Sequence, residues 1–237
     1  RLAYRANDQG SLLALLSEGG RLLLVRIAAD DASGSNPIIT ELPQPEGKVT
    51  ALALDVLLEN LYVGTSEGQV MHVALSETGS PEMRAAYAVA APSTAVTTLG
   101  FLSGDRSLVI TSADGAVSTW GLVRRADAPS GWRLTQIHTL RSHNAPITAF
   151  APSQRVKAFV TGDTKGNLFL HHATSSQTLL RLANGEFPIR AVGFAPKGDG
   201  LIALDSAGQL SLYQVQTAYS EVTLETLFGK VWYEGYD

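Results

Sequence analysis

Histidine is the side chain of this sequence best suited to acid–base chemistry or metal binding. The chain has five histidines: His72, His138, His143, His171 and His172. His171 and His172 are adjacent, so on a strand they point to opposite faces and cannot hold one metal ion together. His143 precedes a predicted strand, where we expect it to hydrogen-bond to the backbone. The histidines therefore indicate structural or surface roles, and we predict no metal site.

The acidic residues do not form a catalytic or calcium-binding pattern. Asp30 and Asp31 lie in a loop rich in Gly, Ser and Asn and lack the alternating spacing of a calcium loop. Asp is favoured at turns because it bonds to nearby backbone. Four further aspartates fall at predicted turns: Asp105, Asp114, Asp163 and Asp199. The sequence also lacks Cys and the common nucleophile, nucleotide-binding and zinc-protease motifs. We predict a protein that is not an enzyme and has no cofactor.

Arginines are the remaining candidates for binding. Arg124, Arg125 and Arg133 flank a loop that contains Trp132, and Arg190 begins a predicted strand. Guanidinium groups combined with backbone N–H groups bind anions, so these four arginines are our candidates for contact with an anion or a partner. The alternative is that they are solvated surface residues. The net charge of −4 shows no basic footprint for nucleic acid, and we predict none as a partner.

Short β-strands must position these residues, because apolar and polar residues alternate with a period of two through most of the chain. The clearest case is a meander of Val96–Phe101, Ser107–Thr111 and Ala116–Leu122. Asp114-Gly115 joins the last two strands and is typical of a two-residue turn with positive φ. Three strands cannot bury both faces alone, so we expect neighbouring copies to cover them.

The copies are visible as five predicted turns. In each turn, a glycine comes directly before a strand in which apolar and polar residues alternate. These glycines recur about 42 to 51 residues apart: Gly20, Gly68, Gly115, Gly166 and Gly208. Four units also open with a similar strand: Val49–Leu52, Val96–Leu99, Ile147–Phe150 and Ile189–Val192. Repeats of this length, with about four strands each, are typical of a β-propeller, whereas an ordinary β-sandwich does not predict the repetition.

The predicted propeller spans residues 1–224, in units 1–45, 46–93, 94–144, 145–186 and 187–224. Leu2–Tyr4 and Ser11–Leu16 are the predicted first two strands. The irregular connections supply the predicted fourth strands: Ile38–Leu42, Met83–Val89, Arg133–Leu140, Gln177–Leu182 and Val222–Leu227. Either the five units close a small ring or they belong to a larger, seven-bladed one. We favour the larger ring.

Residues 139–152, TLRSHNAPITAFAP, resemble the junction between two blades of a WD-repeat protein, with His143 where a Gly-His pair usually stands. Ser142 replaces the Gly of that pair. Trp120 is similar to the Trp of the Trp-Asp dipeptide, but Gly121 follows it instead of Asp. The resemblance implies an all-β, WD-repeat-like propeller. Its usual Asp–His–Ser/Thr–Trp hydrogen-bond network is expected to be mostly lost, so that packing holds the blades together.

The C-terminal segment, residues 225–237, breaks the repeat pattern and is rich in aromatic residues. One interpretation is a closing strand packed on the propeller. The other is a segment close to a membrane, because Trp and Tyr concentrate at the headgroup region. The residues predicted for that role are Phe228, Trp232, Tyr233 and Tyr236.

Residues 227–236, LFGKVWYEGY, closely resemble the segment before the second membrane helix in long forms of the permease subunit of bacterial phosphate ABC transporters. Those forms carry a WD-like insert between their first two membrane helices. The resemblance implies an inner-membrane protein whose propeller lies in the periplasm. It also implies the remaining permease and transporter subunits as partners, with the phosphate-binding protein or another envelope protein as further candidates.

The function expected from this resemblance is protein–protein interaction or regulation of phosphate uptake by an accessory domain outside the cytoplasm. The alternative is a propeller that senses an anion or other small ligand and gates transport. An enzyme is a third, weaker alternative, because the predicted inner strands offer Thr50, Thr97, Thr148 and Arg190 but no acid.

Overall fold

The structure is a computed structural model, and its described residues contain β-strands and no helix. It describes residues 1–8, 10–28, 37–75, 81–104, 106–128, 131–155, 157–183, 185–195, 200–217 and 230–233. Twenty strands form five sheets of four strands each, in chain order. The predicted all-β fold with five repeat units is confirmed.

The first sheet contains β1 (Leu2–Asn7), β2 (Gly10–Leu16), β3 (Leu22–Ala28) and β4 (Ile38–Glu41). The second contains β5 (Val49–Leu54), β6 (Asn60–Thr65), β7 (Gln69–Ala74) and β8 (Glu82–Ala88). The third contains β9 (Val96–Phe101), β10 (Leu108–Ser112), β11 (Val117–Arg124) and β12 (Trp132–Thr139). The fourth contains β13 (Ile147–Pro152), β14 (Ala158–Asp163), β15 (Asn167–His172) and β16 (Thr178–Ala183). The fifth contains β17 (Ile189–Phe194), β18 (Gly200–Asp205), β19 (Leu210–Thr217) and β20 (Lys230–Tyr233).

Each sheet is an antiparallel meander except at the end of the fifth, where β20 pairs with β19 in parallel. The sequence predicts the fourth strand of that sheet at Val222–Leu227, but those residues lie outside the described part of the chain. The fourth position of that sheet is occupied by Lys230–Tyr233, which belongs to the aromatic C-terminal segment.

The first strands of the sheets lie side by side, so β1, β5, β9, β13 and β17 form the inner edge of an arc. The core lies between successive sheets. Leu12 and Leu24 of the first sheet pack against Leu52 and Leu61 of the second. In the three middle sheets the second strand is covered on both faces, so nearly every residue of β6, β10 and β14 is buried. Such strands read as continuous apolar and small residues rather than as an alternating pattern.

Two glycines in the second strands allow the next sheet to approach closely. A Cβ atom on Gly64 would lie 2.7 Å from a methyl carbon of Val96, and one on Gly162 would lie 2.6 Å from a methyl carbon of Ile189. Val96 and Ile189 each begin the inner strand of the following sheet. The missing side chain therefore sets the spacing between neighbouring sheets.

The turn at Asp114-Gly115 is longer than the predicted two-residue turn. Ser112 N–H donates to Ala116 O (3.1 Å) and Gly115 N–H donates to Ser112 O (3.0 Å), which closes a loop of three residues, 113–115. Of these, Gly115 has positive φ (86°) and Asp114 does not. The prediction was wrong because a three-residue hairpin needs one left-handed residue, whereas a two-residue type I′ turn needs two. The other turn glycines also have φ between 76° and 85°: Gly20, Gly68, Gly166 and Gly208.

The two ends of the arc expose apolar faces. Leu2 and Tyr4 of the first sheet are 65% and 59% exposed, and Leu210 and Leu212 of the fifth are 69% and 74% exposed. Among the described strands, no extensive packing joins the first sheet to the fifth. The described sheets therefore form an arc with one uncovered apolar face at each end.

Candidate functional site

A pocket of about 1020 Å³ runs across one end of the second sheet, from the first sheet to the third. We call it the loop-face pocket, because it opens on the face that carries the connections between the first and second strands of each sheet. The opposite face, which we call the hairpin face, carries the glycine turns. Six residues give the pocket its chemistry: Arg26, Glu59, Asn60, His72, Arg84 and Trp132.

The loop before β6 builds one wall of this pocket. Asp55 is buried, and its Oδ1 accepts hydrogen bonds from the N–H groups of Glu59 (2.9 Å) and Asn60 (3.1 Å). Its Oδ2 accepts from Asn60 Nδ2 at 2.6 Å. Leu58 has a left-handed backbone (φ 60°), which is uncommon for a residue other than glycine, and its side chain is buried. Burial of Leu58 and the bonds to Asp55 together hold the loop in this conformation.

His72 lies at the base of the pocket and is 2% exposed. Because Asn60 Nδ2 donates to Asp55, Asn60 Oδ1 faces the imidazole and accepts from His72 Nε2–H at 2.7 Å. The imidazole ring of His72 stacks on the ring of Tyr62, with the two ring centroids 4.8 Å apart. Burial, and secondarily the charge of Arg84, lower the pKa of His72 to about 4. His72 is therefore neutral at pH 7, and its Nδ1 is an acceptor with no hydrogen-bond partner among the described residues.

Arg84 reaches the pocket because of a β-bulge. In the pairing of β7 with β8, His72 lies opposite Ala85 and Val73 lies opposite Met83, so Arg84 is the extra residue. A bulge changes the direction in which a side chain points. The same bulge occurs in the third and fourth sheets, where the extra residues are Ile137 and Leu179. The second sheet thus has a cation at a position that is apolar in those two sheets.

The remaining polar residues of the pocket come from three sheets. Arg26 of β3 is half-buried, and Glu59 and Arg84 are exposed. Arg84 forms no ion pair with a carboxylate of the described residues. Trp132, at the start of β12, is 46% exposed and provides an aromatic wall. Among its described residues, the pocket therefore combines two guanidinium groups, one carboxylate, a neutral imidazole and an indole.

The arginines predicted from the sequence lie outside the pocket. Arg124 and Arg133 lie beside Trp132, where the end of β11 pairs with the start of β12. The side chains of Arg124, Arg125 and Arg133 are all exposed. Arg133 forms an ion pair with Asp127 at 3.7 Å, with the side chains 60% and 71% exposed. Such a pair contributes little to stability. Contact of these three arginines with an anion or a partner stays a prediction.

Arg190 is separate from that group. It is the bulged residue of β17, between Ile189 and Ala191, and it is exposed near the hairpin face. The equivalent bulged residues of the preceding three sheets are threonines: Thr50, Thr97 and Thr148. The structure therefore places Arg190 at the opposite face from the loop-face pocket.

Sequence reasoning missed Arg26 and Arg84. An alignment of the fourth strands could have revealed Arg84, because the third and fourth sheets have the apolar residues Ile137 and Leu179 at the equivalent position. Recognising this required the position of the bulge, which shifts the alignment by one residue. Arg26 lies in the apolar strand Leu22–Ala28, and the repeat pattern of the sequence does not mark it.

A second polar cluster is buried between the third and fourth sheets, and it corrects the prediction for His143. Both ring nitrogens of His143 bond to side chains and not to the backbone. Nδ1–H donates to Asp163 Oδ2 (2.9 Å), and Nε2 accepts from the Thr161 hydroxyl (2.8 Å). Thr161 in turn accepts from His171 Nε2–H at 2.9 Å. The fourth sheet therefore retains the Asp–His–Thr part of the network that was expected to be mostly lost, and His171 takes the place of the Trp.

The two histidines of this buried cluster, His143 and His171, are uncharged. Burial lowers the pKa of His143, although the hydrogen bond and charge of Asp163 act in the opposite direction. Burial, and secondarily the neighbouring His143, lower the pKa of His171 to about 3. His171 Nδ1 accepts from the Thr178 hydroxyl at 3.1 Å. Every polar atom of both rings is thus engaged within the protein, so the cluster links structural elements and is not open to a ligand.

Neither polar region provides a metal centre. In the described ranges, no group of three or more His, Cys, Asp or Glu side chains is arranged to hold a metal ion. The described residues also include no helix of sufficient length and hydrophobicity to cross a membrane. Of the residues predicted to lie near a membrane, Phe228 and Tyr236 lie outside the described part of the chain, and Trp232 and Tyr233 belong to β20.

Comparison with solved structures shows the fold. The propeller domain of Cps50 (Swd1) from Myceliophteria thermophila has a TM-score of 0.66 and 15% identity, over 89% of this chain and 68% of that one. The WD40 propeller domain of Doa1 has a TM-score of 0.65 and 17% identity, over 90% of this chain and 64% of that one. The computationally designed Ika4 protein has a TM-score of 0.59 and 19% identity, over 73% of this chain and 94% of that one. No protein-family model and no curated protein matches the sequence. The chain therefore has a WD40-like β-propeller fold.

Proposed function

We propose that this chain is a recognition domain that binds a protein partner at its loop-face pocket. The observation that carries the proposal is the pocket itself, where charged and aromatic side chains from three sheets converge on one face of a stiff scaffold. Propeller faces suit recognition, because loops from several rigid sheets present their side chains together. Trp and Arg, both present here, are the residues most often found at the energetic centre of protein interfaces.

The proposed setting is the periplasmic part of a phosphate ABC transporter permease in the bacterial inner membrane. The similarity of residues 227–236 to the segment before a membrane helix of such permeases supports this setting. The partner is then another transporter subunit, the phosphate-binding protein or another envelope protein. Its binding promotes or regulates phosphate uptake.

The proposal assigns the domain no catalysis. Among the described residues, the three most buried histidines are neutral and hydrogen-bonded, and none lies beside a hydroxyl nucleophile in a cleft. His143 and His171 share Thr161, but that hydroxyl is completely buried and cannot reach a substrate.

The five sheets are further proposed to belong to a ring of about seven. This chain covers 68% and 64% of two WD40-type propeller chains, so a domain of that length would hold about seven to eight such sheets. The uncovered apolar faces of the first and fifth sheets support the same proposal, because additional sheets would bury them.

Site-specific crosslinking in the full-length protein tests the recognition role. A photoreactive amino acid replaces Leu57, which is 60% exposed at the loop-face pocket, and a matched control replaces Phe187, which is 53% exposed on the hairpin face. In membranes of phosphate-starved cells, we expect the residue at position 57 to crosslink to a transporter subunit or to the phosphate-binding protein. We expect no such crosslink from position 187. Absence of any crosslink at position 57, together with unchanged phosphate uptake after deletion of the domain, would contradict the proposal.

A second candidate function is the sensing of an anion or another small ligand that gates transport, and the exposed guanidinium group of Arg84 in the pocket favours it. A ligand present at about 100 times its Kd stabilises a protein by roughly 2.7 kcal/mol, which is readily measured as a rise in Tm. Titration with inorganic phosphate tests this second function, and a Tm that does not change with phosphate counts against it.

A further inference from the structure

We infer that the apolar face of the fifth sheet binds a further four-stranded sheet of the same polypeptide, whose inner strand places an aromatic side chain over Gly193. The inner strand is the first strand of a sheet, and its residues are counted from the start of that strand. This inference rests on the proposed ring of about seven sheets, and it specifies the side chain by which the next sheet is recognised.

Successive sheets meet through a repeated pair of residues on their inner strands. The fifth residue of one inner strand is small, and the fourth residue of the next inner strand is larger. Ala53 of β5 lies in the same core cluster as Leu99 of β9. Ala151 of β13 packs in the same core cluster as Val192 of β17. A small residue on one sheet thus receives a larger residue from the next sheet.

The third and fourth sheets contain the aromatic form of this pair. Gly100 is the fifth residue of β9, and Phe150 is the fourth residue of β13. A Cβ atom on Gly100 would overlap the Phe150 ring, so even an alanine does not fit beneath that ring. The two pairs that contain alanine have Leu or Val as the larger partner. Glycine therefore accompanies the aromatic partner, because close packing leaves no room for both a Cβ atom and a ring.

Gly193 is the residue of the fifth sheet that corresponds to Gly100. The strand register places it at the fifth position of β17, where Gly100 stands in β9. Its neighbours Val192 and Phe194 pack with the fourth sheet, so a side chain at position 193 would point away from that sheet. No heavy atom of the described residues lies within 4 Å of a Cβ atom placed on Gly193. The described structure therefore has the glycine of an aromatic pair but not the ring.

The surface beside Gly193 is apolar. Leu210 and Leu212 are 69% and 74% exposed. Leu212 pairs with Ile202, which also pairs with Gly193, and Leu210 pairs with Leu204, so all of them lie on one face. The corresponding faces of the first four sheets are each covered by the next sheet. The fifth sheet continues this series of interfaces, so the expected occupant of its face is another sheet.

A second copy of the chain is the alternative occupant, and the number of sheets argues against it. Two copies joined at both ends would form a ring of ten sheets, since each copy contributes five. Propellers close with about four to eight sheets. Two copies joined at one end would leave an apolar face exposed at each of the other ends. A further sheet from the same polypeptide avoids both problems.

Enlarging Gly193 in the full-length protein tests whether its site is filled. In a strand that faces solvent, replacing Gly by Leu is neutral or favourable, because Gly weakens strands. A leucine in a filled site instead displaces the ring. We therefore expect Gly193→Leu to lower the Tm of the full-length protein by about 4 °C or more and to leave that of the 237-residue chain unchanged. Ala86→Leu, exposed on β8, is the matched control and should change neither. An unchanged Tm of the full-length Gly193→Leu protein would overturn the inference.

A photoreactive residue at position 212 identifies the occupant. A diazirine-bearing amino acid replaces Leu212 in the full-length protein, and mass spectrometry maps the crosslinked peptide. We expect a crosslink within one polypeptide, to a sheet whose inner strand has an aromatic residue at its fourth position. Replacing that aromatic residue by Leu should restore the Tm lost in Gly193→Ala, as Phe150→Leu should for Gly100→Ala, the matched pair. Crosslinks between two copies, or failure of the replacement to restore the Tm, would contradict the inference.

These outcomes separate failure of this inference from failure of the proposed function. If position 212 crosslinks within the polypeptide but the residue facing Gly193 is aliphatic, the larger ring stands and the aromatic assignment is wrong. If position 212 gives no crosslink within the polypeptide and Gly193→Leu leaves the Tm unchanged, the larger ring is wrong as well. The recognition role is judged independently, by the crosslinks at position 57 of the loop-face pocket.

Discussion

His143 Nδ1 lies 2.9 Å from Asp163 Oδ2, and both side chains are fully buried. His143 belongs to the connection that leaves the third sheet, and Asp163 begins the turn between β14 and β15 of the fourth. Asp163 also accepts hydrogen bonds from the N–H groups of Lys165 and Asn167, at 2.9 Å each. One carboxylate therefore ties a hairpin turn to the preceding connection between sheets.

Replacement of Asp163 should destabilise the protein strongly. Asp163→Ala leaves His143 and two backbone N–H groups without their acceptor, and each buried unsatisfied group costs about 1–3 kcal/mol. We expect the free energy of unfolding to fall by about 3 kcal/mol or more, as measured by urea denaturation. The control is Asp205→Ala at the equivalent turn of the fifth sheet, where the carboxylate accepts the N–H groups of Ala207 and Gln209. Equal losses for the two variants would show that the bond to His143 contributes nothing.

Acid should destabilise the protein in a specific pH range. The pKa values of His72 and His171 are lowered to about 4 and about 3, below the value near 6.5 of an unfolded histidine. Between these values the unfolded chain binds more protons, so the free energy of unfolding decreases as the pH falls from about 6.5 toward 4. Each histidine contributes up to about 1.4 kcal/mol per pH unit. Urea midpoints at pH 7.5, 5.5 and 4.5 measure the effect, and His72→Gln should make the dependence shallower. A midpoint that does not change over this range would contradict the lowered pKa values.

Asp163 does not reverse this trend. Burial raises the pKa of its carboxyl, but the hydrogen bonds from Asn167, His143 and Lys165 outweigh burial, and the net direction is downward. The stability that it contributes is present above the unfolded value near 3.9 and is lost only at lower pH. The loss predicted between pH 6.5 and 4 therefore comes from the histidines.

Enlarging Gly162 should force the fourth and fifth sheets apart. The Cβ of Gly162→Ala would lie 2.6 Å from a methyl carbon of Ile189, whose side chain is 1% exposed and cannot move aside. We expect a loss of about 1–3 kcal/mol in the free energy of unfolding, the usual cost of overpacking. Gly193→Ala is the control, because no heavy atom lies within 4 Å of its added Cβ. It should leave stability unchanged or raise it by about 0.4–1 kcal/mol. Equal effects of the two substitutions would argue against close packing at Gly162.

The apolar face of the fifth sheet should cause association of the isolated chain. Leu212→Lys replaces a side chain that is 74% exposed, so we expect lower light scattering at high protein concentration with little change in the urea midpoint. Leu170→Lys is the matched change at the equivalent position of the fourth sheet, where the side chain is 4% exposed, and it should prevent folding. If Leu212→Lys unfolds the chain to the same extent, the face is covered and the proposal of additional sheets loses its structural support.

The sequence by itself determined the strands and their grouping. Alternation with a period of two and the glycine turns at Gly20, Gly68, Gly115, Gly166 and Gly208 are local signals, because strand geometry and positive φ depend on neighbouring residues. The predicted strands from Val96 to Leu122 accordingly agree with β9, β10 and β11 to within two residues. The length of the turn at Gly115 was misjudged, since that length depends on which backbone groups pair across the hairpin.

Only the tertiary structure decided which polar residues meet. Arg84 enters the pocket because β8 has one residue more than its partner strand requires, and a bulge is a property of the pair of strands. His143 and Asp163 are 20 residues apart and meet because two successive sheets pack closely enough to bury both. Arg190 reads like the other arginines in the sequence, yet the direction of β17 places it at the opposite face from the pocket. Register, bulges and sheet packing join residues that are distant in the chain, and a local pattern does not record such contacts.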